Sequence, residues 1–68
     1  NPVKDILTIS SNMNNPIEDI KIYDLNGKCV RDETDFPNKD AQINIRGLSK
    51  GVYVVQINKQ YNRKIVVQ

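Results

Sequence analysis

Apolar and polar residues alternate in four short runs along the chain. Leu7 and Ile9 alternate with Thr8 and Ser10, and Ile20 and Ile22 with Lys21 and Tyr23. Ile43 and Ile45 interleave with Gln42, Asn44 and Arg46, and Ile65 and Val67 follow Lys64 at the same spacing. A repeat of two is that of a half-buried strand, whose successive side chains leave opposite faces. The stretch Val52 to Asn58 differs, with Tyr53, Val55 and Ile57 on one face and Val52 and Val54 on the other. Apolar residues on both faces predict a central strand. No stretch carries helical periodicity, and the Ile- and Val-rich apolar set favours strands.

The punctuation between these runs sets the connectivity. Asn26-Gly27 divides Ile20-Lys21-Ile22-Tyr23 from Lys28-Cys29-Val30, which predicts a hairpin from Ile17 or Glu18 to Arg31 closed by a type I′ turn. Before it lie a strand from Lys4 to Ser10 and an Asn-rich loop, Ser11 to Pro16, with Met13 as a lid on the core edge. After it, Asp32 to Asp40 reads as a polar connection, its Phe36 plugging one end of the core ahead of Pro37. A strand from Ala41 to Arg46 follows. Leu48-Ser49-Lys50-Gly51 is a tight corner anchored by Leu48, with Gly51 supplying a backbone conformation other residues reach only under strain. Residues 58–62 form a turn, Arg63 to Gln68 is the last strand, and the two final strands make a second hairpin. Six or seven short strands at this spacing predict an all-β fold, a small antiparallel immunoglobulin-like β-sandwich.

The chain has 68 residues, room for one domain spanning 1–68 with a small core. With 38% hydrophobic and 26% charged residues it is too apolar for a disordered tail. No apolar run approaches the roughly 20 residues of a membrane-spanning helix, so no direct membrane insertion is expected. A net charge of +2 gives no reason to expect nucleic acid as a partner. Asn1-Pro2 reads as a linker entering a domain, and a start other than Met as a piece cut from a longer protein.

Candidate chemistry is sparse. There is no histidine, which removes the commonest general base and most transition-metal sites. Cys29, the only cysteine, has no histidine to activate it and reads as a packed or half-packed thiol. Asp32, Glu33, Asp35 and Asp40 lack the spacing of a calcium loop and read as a solvated acidic segment. Gly27, Gly47 and Gly51 stand alone at turns, without the clustering that cradles phosphate. No catalytic residue, metal or cofactor is expected, and the chain does not read as an enzyme. Tyr53 reads as packing with its hydroxyl reaching the surface, leaving Tyr61 as the exposed aromatic for a carbohydrate- or protein-binding alternative.

Four segments in order carry a family likeness: Asn1-Pro2-Val3 leading to Leu7-Thr8-Ile9, then Ile22-Tyr23-Asp24-Leu25-Asn26-Gly27-Lys28, Leu48-Ser49-Lys50-Gly51-Val52-Tyr53, and Lys64-Ile65-Val66-Val67. Over all 68 residues the chain resembles the type A C-terminal sorting domain of proteins exported by the type IX secretion system of Bacteroidetes. The resemblance implies a non-catalytic, folded secretion signal, covalently attached to an N-terminal cargo domain. The cargo would pass through the periplasm and be exported by the type IX translocon. A cell-surface sortase would then usually remove the signal, leaving the cargo at the surface or in the medium. Carried over by position, Asn1, Pro2, Leu7, Ile9, Asn26, Gly27, Lys28 and Leu48 belong to the family's motif and fold. Gly51, Tyr53 and Lys64, with Arg63 beside it, are the residues it points to for signal recognition. Cys29 stands where the family usually has an aliphatic residue, and Gln68 where many members end in lysine or arginine.

Overall fold

A computed structural model of the protein describes residues 5–10, 17–34 and 40–68 in full and residues 2–3 by their backbone. Asn1, Met13, Asp35, Phe36 and Pro37 lie outside the described residues. Among the described residues seven strands are formed: β1 (Pro2–Val3), β2 (Ile6–Ser10), β3 (Asp19–Tyr23), β4 (Cys29–Thr34), β5 (Asp40–Asn44), β6 (Gly51–Ile57) and β7 (Tyr61–Val67). They build a five-stranded sheet in the order β1-β7-β6-β3-β4 and a two-stranded sheet, β2-β5. All neighbours are antiparallel except the two-residue β1, which runs parallel to β7. This is the all-β, two-sheet arrangement expected, consistent with a small β-sandwich.

The alternation places the core. Leu7, Ile9, Ala41, Ile43 and Ile45 are buried from the smaller sheet, and Ile20, Ile22, Tyr53, Val55, Ile65 and Val67 from the larger. Ile20, Ile22, Ile43 and Ile45 are fully buried, and each contributes about 1.5–3 kcal/mol relative to an exposed side chain. Ile17, Val30, Leu48 and Ile57 pack half-buried around them. β6, apolar on both faces, is central: it lies between β7 and β3 and so joins the two hairpins.

Several expectations are corrected. The acidic segment does not begin at Asp32. β4 runs on to Thr34, with Asp32 opposite Lys21 and Glu33 opposite Ile20. Tyr61 is the first residue of β7, not a turn residue.

Cys29 is exposed rather than packed. The β3–β4 ladder shifts register between Ile22 and Tyr23, passing from Ile22 opposite Arg31 to Tyr23 opposite Cys29. Val30 is thus the extra residue of a bulge. The bulge turns Val30 toward the core and leaves Cys29 opposite Tyr23, with its thiol donating to the Arg31 carbonyl at 3.2 Å.

The turn expected at Asn26-Gly27 is not type I′. Only Gly27 has positive φ there, 86°. Gly27 N–H donates to the Asp24 carbonyl at 3.0 Å and Asp24 N–H to the Lys28 carbonyl at 2.9 Å, enclosing a three-residue loop. The Asp24 carboxylate accepts from the N–H groups of Asn26 and Lys28, both at 2.9 Å. By satisfying two backbone donors at once, Asp24 selects this loop over the two-residue turn. The pair of positive φ values that a type I′ turn needs occurs at Asn58 and Lys59, 54° and 60°, in the β6–β7 hairpin.

Candidate recognition surface

The four residues singled out for recognition stand on two neighbouring strands, Gly51 and Tyr53 on β6, Arg63 and Lys64 on β7. They do not form one patch. Gly51 opposes Val67 and has a φ of 151°, a conformation L-residues rarely adopt, although a Cβ there would meet no atom within 4 Å. Its requirement is therefore conformational, not steric. Tyr53 opposes Ile65 in the core, and its hydroxyl donates to the Ser49 carbonyl, four residues upstream, at 2.6 Å. A buried tyrosine tied back to its own approach segment is the device known from immunoglobulin-type sandwiches as a tyrosine corner. Both residues fix the corner between Leu48 and β6. Leu48 supports it with its half-buried side chain and an N–H bond to the Ile45 carbonyl at 3.2 Å.

Arg63 and Lys64 are both exposed, yet as successive strand residues they leave opposite faces. Arg63 shares the phase of Ile65 and Val67 and opposes the buried Val55, yet is itself exposed. Lys64 lies on the outer face. There it opposes Val54, which in turn opposes Tyr23, so three strands contribute one row, Lys64–Val54–Tyr23. The adjacent row on that face is Val66 opposite Val52. Val66 is 40% exposed, and Val52, Val54 and Tyr23 are half-buried. The outer face of a two-layer sandwich is ordinarily polar. This cluster was missed in the sequence, where the second apolar phase of β6 signalled only a central strand. Its neighbours across the ladders could not be read without the strand order.

Leu7 and Ile9 are core, Asn26, Gly27 and Lys28 build the first hairpin loop, and Pro2 lies in β1 opposite Val66. Two further residues were not anticipated. Arg31 donates from Nε to the Asn44 carbonyl at 3.1 Å, and from its two Nη atoms to Val30 and Arg46 carbonyls, both at 2.8 Å. It clasps the edge of the larger sheet to the end of β5. Asn58 accepts from the N–H groups of Glu18 and Asp19 at 2.6 and 3.2 Å and returns its own N–H to the Asp19 carbonyl at 2.9 Å. It moors the last turn to the start of β3.

Among the described residues no group of three or more Cys, Asp or Glu could hold a metal ion. The ion pair Arg46–Asp5, 3.6 Å apart, joins side chains that are 71% and 60% exposed and contributes little. The tyrosines do not line up as a platform: Tyr53 is in the core, Tyr23 on the outer face and Tyr61 exposed at the start of β7 in the opposite phase.

Among the described residues this outer face carries an apolar cluster beside the corners fixed by Tyr53 and Asn58. The model of the secretion system C-terminal sorting domain matches residues 1–68, the entire chain. The chain belongs to this family. No curated protein and no solved structure matches it. As a type IX sorting domain it is a C-terminal secretion signal, attached to a cargo and read by the secretion machinery. Its destination is across the envelope, at the cell surface or outside.

Proposed function

We propose that this sorting domain directs an N-terminally attached cargo from the periplasm through the type IX translocon, and that a cell-surface sortase then usually removes it. The observation that carries this reading is the family match across all 68 residues. The physical case is that a signal read after folding needs rigid strands and turns, not reactive groups. Here three separate side chains, Arg31, Asn58 and Tyr53, spend their polar atoms on backbone groups that lock sheet edges and corners. Within the recognition set, Gly51 and Tyr53 act by holding β6 in place, while Lys64 and Arg63 present charge to a partner. The domain itself performs no chemistry.

The test is a transplant. Residues 1–68 are fused to the C-terminus of a periplasm-directed fluorescent reporter in a bacterium with a working type IX system. The expected outcome is reporter at the surface or in the medium, with retention when the translocon is disabled. A folded domain whose reporter stays in the periplasm of the intact strain overturns the proposal and returns attention to glycan and protein binding.

A further inference from the structure

We infer that the outer-face cluster of Tyr23, Val52, Val54 and Val66 around Lys64 is the surface by which this domain docks on a protein of the secretion machinery, an apolar partner surface carrying a carboxylate. This rests on the sorting function proposed above and assigns the surface that performs it.

Three observations single out this face. The inner face of the five-stranded sheet is already covered by β2 and β5, whose isoleucines fill the core with it. The edges offer less. β4 ends the sheet with Arg31, Asp32 and Glu33 in succession, charges that oppose strand addition, and β1 pairs β7 at Val66 and Val67. The outer face, by contrast, joins two apolar cross-strand rows into one patch from strands distant in sequence, β3, β6 and β7.

Charge gives the partner its sign. Lys64 closes the Tyr23–Val54 row and is exposed at the β7 side of the patch. The carboxylates sharing this face, Asp19 and Asp32, lie on β3 and β4 around Lys21, on the far side of Tyr23 from Lys64. The β6–β7 half is therefore apolar and cationic, which suits an apolar surface bearing an Asp or Glu opposite Lys64. A single ammonium on an apolar rim contributes selectivity, while the valines and the tyrosine contribute the buried area.

The reporter fusion tests this directly. Val54→Thr with Val66→Thr keeps β-branched side chains, and so the strand preference, while placing hydroxyls on the face. Lys64→Glu reverses the charge without touching the core. Gln42→Glu, on the exposed face of the smaller sheet, serves as the control. Resistance of the periplasmic fusions to protease reports folding. The expected result is about a tenfold or greater loss of export for the double-threonine and Lys64→Glu fusions, with Gln42→Glu exported as wild type. A photo-crosslinking residue at position 54 should give an adduct with a secretion-apparatus protein, identified by mass spectrometry, and none from position 42. Normal export of the folded Lys64→Glu and double-threonine fusions overturns the assignment, as does an adduct formed only between two sorting domains. Failure of the wild-type fusion to leave the periplasm instead sinks the sorting function, and this surface with it.

Discussion

Arg31 shows how one side chain can decide whether two sheets stay together. It opposes Ile22 on the inward phase of an edge strand, so its guanidinium enters the open side of the sandwich and meets the carbonyls of Asn44 and Arg46. These two charge-assisted bonds to backbone groups are exposed, while a third, to the Val30 carbonyl, is partly buried. Arg31→Ala should lower stability by about 1–3 kcal/mol, read as a reduced urea midpoint. Arg31→Lys should recover little of it, because an ammonium lacks the planar fork that reaches several carbonyls. In the sequence Arg31 was only the end of a hairpin. Its role depends on β5 being opposite, and no local pattern reveals that. The same holds for Asn58, whose partners are 39 and 40 residues away. Tyr53, in contrast, was legible as a core residue, and its hydroxyl finds Ser49 within the same corner.

Among the elements, the two hairpins exchange the turn geometry that their sequences suggest. Asn26-Gly27 is the stronger type I′ pair by residue preference, yet the paired positive φ values fall on Asn58-Lys59. Local side-chain bonding explains the first case: Asp24 captures two N–H groups and leaves only Gly27 in the left-handed region. Tertiary anchoring explains the second, because Asn58 reaches across to β3. The loop makes an ordered prediction. Gly27→Ala, at a φ of 86°, should cost about 1 kcal/mol or more, while Asn26→Ala should cost less than about half of that. Equal losses at the two positions in urea unfolding would indicate a type I′ turn after all. Strand positions were otherwise readable to within one or two residues, since alternation and turn residues are local signals. The exceptions are β4, prolonged through acidic residues by its ladder to β3, and β1, which exists only because β7 is beside it.

At the scale of the molecule, a 68-residue chain has little stability to lose. Ile43 is fully buried in the two-strand sheet that closes the core. Ile43→Ala should cost about 2–5 kcal/mol, much of what a small domain possesses. The expected outcome is a domain largely unfolded near growth temperature by circular dichroism and a fused reporter retained in the periplasm, whereas Lys64→Ala leaves the unfolding curve unchanged. That contrast separates failure to fold from failure to be read. The sequence alone determined that the protein is an all-β domain of short strands, which face of β2, β3, β5, β6 and β7 is buried, and that β6 is central. Periodicity, turn residues and composition act over a few neighbouring positions, so they survive in a linear reading. Tertiary structure decided the order β7-β6-β3-β4, the bulge that exposes Cys29, the Arg31 clasp and the meeting of Tyr23, Val54 and Lys64 on one face. Each of these depends on the register between segments far apart in the chain, which is fixed only when the strands pack together.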